Sequence, residues 1–136
     1  MGKKEKRIPT YLKNEKVKEI KPQKIFPIFS FIFLAKNCSL KKCDKDKKSA
    51  LLDRLAKLST ISWDIIDTSH RHSFGYEKIP HEIITCDIPN NITSDTKLIA
   101  FRYVDNLPFV GFRDINIKGL FHIVFIDVDF KLYNHG

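Results

Sequence analysis

The sequence predicts an α+β domain: an N-terminal strand, a two-helix hairpin, then three to four antiparallel strands forming one sheet with the helices packed on one face. Three observations predict it. Leucines recur at helical spacing just after residue 44. Runs of aromatic and β-branched residues gather after residue 96. A length of 136 residues allows one domain with a real core and not two ordinary ones.

Residues 1–24, "MGKKEKRIPTYLKNEKVKEIKPQK", are dense in lysine and lack usable periodicity. They read as a basic N-terminal arm, mobile or packed only in places, ahead of a single domain over 25–136. The most apolar stretch, "IFPIFSFIFLA" (25–35), contains Pro27 and is far shorter than the roughly 20 residues that span a bilayer, so it predicts a buried strand. In "CDKDKKSALLDRLAKLS", Leu51, Leu55 and Leu58 recur at i, i+4, i+7, which predicts an amphipathic helix begun by Asp44 or Asp46. Ser59 or Thr60 can cap a second helix through "ISWDIIDTSHRH", with Trp63, Ile66 and His70 on one side and Gly75 beyond its end. "EIITCDI" reads as a short strand and "PNNITSDT" as a loop. Three longer strands follow in "KLIAFRYV", "PFVGFRD" and "GLFHIVFIDVDF", separated by the turn-like "DNLP" and "INIKG".

Composition narrows the function. Twenty-four Lys and Arg against sixteen Asp and Glu leave a formal charge of +8, which favours a polyanionic partner because phosphate contacts release counterions. Cys38, Cys43 and Cys86 do not make a disulfide framework, nothing resembles a secretory signal, and a reducing cytoplasm is the expected location. Cys38 and Cys43 with His70 and His72 lack the spacing of a zinc ribbon or finger, so neither metal nor other cofactor is expected. Asp127 and Asp129 offer a carboxylate pair for a divalent cation, but they fit better as the cap of a turn.

Strand parity gives the sharpest expectation. Side chains alternate faces, so Ile99, Phe101 and Tyr103 separate from Leu98, Ala100 and Arg102. Val110 and Phe112 separate from Phe109, Gly111 and Arg113, and Phe121, Ile123 and Phe125 from Leu120, His122, Val124 and Ile126. If "DNLP" is a four-residue loop, Val104 pairs with Phe109 and Arg102 stands opposite Gly111. If residues 115–118 form another, His122 also stands opposite Gly111. The expected row is Arg102, Gly111, His122, with Arg113 one step away and a phosphate-sized gap at the glycine.

A guanidinium holds a phosphate through paired donors, and an imidazole near neutrality moves a proton at the reacting oxygen. Cleaving RNA needs little more: a 2'-hydroxyl attacks, a base takes its proton, an acid protonates the leaving oxygen, and cations stabilise the transition state. No metal is required. The tail "FKLYNHG" adds Lys131, Tyr133 as a base-stacking or hydrogen-bonding group, and His135 as a further acid. In "SHRHSFGYEKIP" (69–80) everything depends on where the helix stops. A continued helix buries His70 and scatters the cations. An end near Ser69 turns His70 and His72 one way and Arg71 the other, and puts Arg71, His72 and Glu77 at the rim of a substrate site.

The order of elements, the basic sheet face and the tail with Tyr and His resemble the RelE/ParE superfamily over residues 25–136. Its RelE, HigB and YoeB branches are small bacterial toxins that cut messenger RNA, generally on the ribosome, and are neutralised by an antitoxin. The resemblance implies that Arg102 and Arg113 hold the scissile phosphate, that Tyr133 and His135 match the C-terminal aromatic and histidine of some branches, and that Glu77 matches a glutamate used as base. The long basic arm, His122 within the last strand and "SHRHSFGYEKIP" depart from that pattern. The expectation is therefore a metal-independent endoribonuclease of toxin-antitoxin type, acting on RNA and held by an antitoxin, with no membrane partner. The alternatives are a non-catalytic nucleic-acid or ribosome-binding module and a protein-interaction domain.

Overall fold

The structure is a computed structural model that describes residues 24–134. The basic arm up to residue 23 and the tail residue His135 lie outside the described residues. The elements are strand β1 (Ile28–Ser30), helices α1 (Lys45–Leu58) and α2 (Trp63–Thr68), and strands β2 (Glu77–Ile79), β3 (Leu98–Val104), β4 (Leu107–Arg113) and β5 (Leu120–Ile126). The α+β class, the single sheet and the helices on one face are as the sequence predicts.

Each helix begins and ends for a local reason. Asp44 caps α1, its carboxylate accepting from the Lys47 N–H at 2.8 Å, an arrangement worth about 1 kcal/mol. The leucine stripe of Leu51, Leu55 and Leu58 is buried against the sheet. Ser62, rather than Ser59 or Thr60, stands at the N-cap position of α2. That helix stops at Thr68, where the Thr68 hydroxyl donates to the carbonyls of Asp64 and Ile65 and the Ser69 hydroxyl donates to Ile65. These hydroxyls serve the last-turn carbonyls, and Ser69 leaves the helical region at ψ 155°. His70 is thus exposed, not buried beside Trp63 and Ile66.

The sheet order is β1-β5-β4-β3-β2, antiparallel except for the β1–β5 pair, which is parallel. "IFPIFSFIFLA" contributes only the three residues of β1, half exposed at an edge, instead of a buried strand. "EIITCDI" is not a strand: a 3-10 turn at His81–Ile83 leads into irregular chain. The second edge comes from Glu77–Ile79, inside "SHRHSFGYEKIP", where no strand was expected.

Register departs from expectation at both turns. The β3–β4 connection is the two-residue turn Asp105–Asn106, both at positive φ (47° and 65°), which Asp and Asn tolerate and tight hairpins require. Val104 therefore pairs with Leu107, and a register shift between Arg102 and Val104 then pairs Arg102 with Pro108 and Ile99 with Gly111. The shorter turn alone moves the register by two residues and keeps parity; the shift beside it makes the slip odd, so β4 turns over with respect to β3. Between β4 and β5, Phe112 pairs with His122 and Arg113 with Phe121, and a bulge beside Val110 and Gly111 follows. Beyond that bulge Phe125 moves to the face of Val124, while Ile126 joins Phe121 and Ile123.

Both faces of the sheet are covered. On the first, Phe101, Phe109 and Phe121 meet Trp63, Ile66 and the α1 leucines, with Phe101 5.3 Å from Phe109 and 5.4 Å from Phe121. On the second, Ala100, Val110, Val124 and Phe125 lie under Ala35, Ile92, Leu132 and Tyr133. A Cys38–Cys86 disulfide fastens two of the covering segments across 48 residues. The expectation that the cysteines stay unbridged is corrected accordingly: folding brings these two Cα atoms within 6.5 Å. Cys43 is free and buried.

Two outcomes follow. A Cβ at Gly111 would lie 2.0 Å from the His122 carbonyl oxygen, so Gly111→Ala is expected to lower stability by at least about 2 kcal/mol in urea denaturation. Reducing the disulfide reopens a 48-residue loop, so dithiothreitol should lower the unfolding free energy by up to about 4 kcal/mol on the chain-entropy scale.

Candidate functional site at the β2 edge

The expected row of Arg102, Gly111 and His122 is not formed. Arg102 and His122 point to the same face, but their partners on β4, Pro108 and Phe112, are four residues apart, about 13 Å along a strand. Arg113 projects from the opposite face, where its guanidinium lies 3.8 Å over the Trp63 ring and donates to Asp67 at 2.9 Å. The register shift between Arg102 and Val104, which makes the β3–β4 slip odd, is the physical reason for the separation.

His122 is 4% exposed, enclosed by the rings of Phe33 and Phe112 at 4.7 and 5.0 Å. Its Nε2–H donates to Asp114 at 2.8 Å, since a carboxylate can only accept, and its Nδ1 lies 3.1 Å from the Ser30 hydroxyl. The order Ser, His, Asp is that of a nucleophilic relay. Closed over by two phenylalanines, it instead clips β1 and the 115–119 turn to β5. His122 is therefore withdrawn as a proton donor to substrate.

The residues that do converge belong to "SHRHSFGYEKIP" and β3. Glu77 pairs with Ala100 across the β2–β3 ladder, which directs both side chains to the second face. Arg102, two residues along β3, reaches the Glu77 carboxylate: its Nη2 donates to Oε1 at 3.1 Å. Arg71 donates to the same oxygen through Nη1 at 2.9 Å. Its Nε lies 3.4 Å from His72 Nε2, and the His72 ring stacks on His70 with centroids 5.2 Å apart. Among the described residues no hydrogen bond reaches Glu77 Oε2, while Oε1 is anchored by both guanidiniums.

Arg54 of α1 holds this edge together. Its Nε donates to the Arg102 carbonyl at 3.1 Å and its Nη2 to the Ser73 carbonyl, while the guanidinium sits 5.5 Å from the Phe74 ring. One side chain thereby ties the loop that carries Arg71 and His72 to the strand that carries Arg102. Gly75 permits the tight return, since a Cβ there would lie 2.1 Å from the Ser69 carbonyl oxygen.

Tyr133 borders the same cluster from below. Burial pushes its phenol up to about 12, with the Glu77 carboxylate adding to the rise and the Arg102 guanidinium opposing it. At 2% exposure the ring has no open face on which a base could stack, so that expected role is corrected to a supporting one. Lys131 is exposed in the tail, where its carbonyl accepts from the Thr85 hydroxyl. Asp127 accepts from the N–H groups of Asp129, Lys131 and Leu132, the turn cap that its sequence context suggested. Among the described residues no group of three His, Cys, Asp or Glu could hold a metal ion, and no helix is long and apolar enough to cross a membrane.

Compared with models of known families, with characterised proteins and with solved structures, the chain matches none.

The Asp114 carboxyl is lowered to about 2, first by the His122 hydrogen bond and then by the N–H groups of Ile117 and Asn116. A folded value below the ordinary 3.8 contributes stability above that value, and the contribution is lost as pH falls towards 2. Stability followed by urea denaturation should therefore decline between about pH 5 and 2, and Asp114→Asn should flatten that decline.

Proposed function

We propose that this chain is a metal-independent endoribonuclease whose reacting groups are Glu77, Arg71, Arg102 and His72. One observation carries the reading: a carboxylate with one oxygen anchored by two guanidiniums and the other without a hydrogen bond among the described residues, beside an exposed imidazole. Glu77 Oε2 takes the proton of a ribose 2'-hydroxyl as its oxygen attacks phosphorus. The P–O5' bond breaks, and His72 in its imidazolium form gives a proton to the departing oxygen, releasing its 3.4 Å contact with Arg71. The unused donors of Arg71 and Arg102 face the charge that builds on the phosphoryl oxygens. The products are a 2',3'-cyclic phosphate and a 5'-hydroxyl.

The charge of +8 supports an RNA substrate by drawing the polyanion to the surface. The toxin-antitoxin setting belongs to the same proposal: messenger RNA is the target, a cognate antitoxin is the protein partner, and the cytoplasm is the site of action. A reducing cytoplasm would open the Cys38–Cys86 disulfide of the structure. The apolar packing of Ala35, Ile92, Leu132 and Tyr133 must then keep the second face covered by itself.

Incubated with RNA in EDTA, the full chain is expected to yield fragments ending in 2',3'-cyclic phosphate, and its induction is expected to arrest growth. Glu77→Gln should lower the cleavage rate by about 10²–10⁴-fold and Arg102→Ala by about 10²–10³-fold, with unfolding midpoints monitored alongside. His122→Ala should act on stability instead. Binding without cleavage would overturn the catalytic reading in favour of a nucleic-acid-binding module, and cleavage abolished by EDTA would overturn its metal independence.

A further inference from the structure

Beside the β2 edge, around the end of the sheet where β3 begins and β4 finishes, lies a cleft of about 510 Å³. Glu77 and Lys78 are successive strand residues, so as Glu77 faces the cluster above, Lys78 faces this cleft. Lys97 and Arg113 also line it, with Phe33 and Phe112 forming an apolar wall and Asn116 a polar corner; the two carboxylates of the lining, Asp95 and Asp114, are engaged by the Thr93 hydroxyl and by His122 with the N–H groups of Asn116 and Ile117. The volume suits a ligand the size of one nucleotide, and an apolar wall with few polar groups is the usual make-up of a small-ligand site.

The cations differ from ordinary surface charge in two respects. Lys78 and Lys97 are exposed, and neither takes part in an ion pair with a described residue. Arg113 is held in place before any ligand arrives: Trp63 lies beneath its guanidinium and Asp67 takes one donor. Asp67 is itself fixed by the Tyr76 hydroxyl at 2.6 Å. A planar cation so oriented keeps further donors for a phosphate.

We infer that this cleft is a subsite for a nucleotide flanking the scissile bond, with the base against Phe33 and Phe112 and its phosphate between Lys78, Lys97 and Arg113. The inference rests on the ribonuclease reading for the placement of the scissile bond, but the binding of a nucleotide does not. An RNA strand passing the narrow β2 edge would meet the reacting groups at Glu77 and then this cleft beside Lys78. The site prefers single strands, because a duplex cannot wrap a three-residue edge and present an unstacked base.

The experiment uses 2'-deoxy-oligonucleotides, which lack the attacking hydroxyl and so report binding alone. Fluorescence anisotropy with labelled dimers and tetramers of deoxynucleotides is measured over a salt series for the full chain, Lys78→Ala/Lys97→Ala and Glu77→Gln. The expected result is tighter binding of the tetramer than the dimer, weakened at least tenfold in the double lysine variant and kept in Glu77→Gln. Losing two phosphate contacts should flatten the slope of log affinity against log salt by about 1.4. Equal tetramer binding by the double variant and the unaltered chain would overturn the subsite, as would equal affinity for dimer and tetramer. Lysine-dependent binding in a chain that cleaves no RNA upholds the cleft as a nucleotide site and removes the ribonuclease reading. Cleavage of RNA at the same rate and efficiency by the double variant upholds the ribonuclease and removes the subsite.

Discussion

The turn at Asp105–Asn106, together with the register shift just before it, is the constraint on which the rest of the sheet depends. With both residues at positive φ, β3 and β4 are joined by two residues, and the shift between Arg102 and Val104 then sets Phe101 opposite Phe109. That pairing gathers the phenylalanines under the helices and leaves Ala100, Val110 and Val124 for the other layer. Without the shift the faces of β4 would exchange and Arg113 would project on the same side as Arg102. The turn and the shift beside it thereby determine whether the strand cations share a face or part.

Because both faces of the sheet are covered, the only places where strand side chains can meet a large ligand are its edges and ends. β2 is such an edge, and its three residues put Glu77 on one face and Lys78 on the other. The loop before it is held by Arg54, which reaches from α1 to the carbonyls of Arg102 and Ser73. A long flexible side chain would ordinarily lose about 2 kcal/mol of rotamer entropy on being fixed, and here two carbonyl acceptors and a phenylalanine ring offset it. Such support makes the edge a surface of defined shape rather than a fringe of the sheet.

The sequence carried the fold class, the first helix with its cap at one of two aspartates, and the three long strands, two of them to within a residue and the last overrun by four at its end, because each rests on a local period or a single capping group. Within β3 and β4 it also separated the two faces correctly. It did not carry the register between strands, since "DNLP" admits turns of two or four residues and nothing local marks the register shift between Arg102 and Val104 that turns Arg113 to the other face. It missed β2 because three residues show no period. The Cys38–Cys86 bond was invisible for another reason: two cysteines 48 residues apart are neighbours only after the segments covering the second face are laid down. Glu77, Arg71 and His72 were named in the sequence as rim residues, and the one signal that could have promoted them was the helix stop near Ser69, where hydroxyls displace the next helical turn.

A sheet edge must avoid pairing with another chain, and both edges here are three residues long. At β2 the protection comes from charge: Lys78 on one side, and Arg71, Glu77 and Arg102 on the other. These are also the groups to which the chemistry is assigned, so solubility alone could account for their presence. It does not account for their arrangement. Edge protection asks for dispersed charge, whereas Arg71 and Arg102 converge on a single oxygen of Glu77 at 2.9 and 3.1 Å. That geometry lowers the exposure of each charge and constrains two long side chains, which weakens it as a solvation device. It gathers a carboxylate, an imidazole and two guanidiniums into one chain of contacts at the sheet edge, and these are the group types that the proposed phosphodiester chemistry uses.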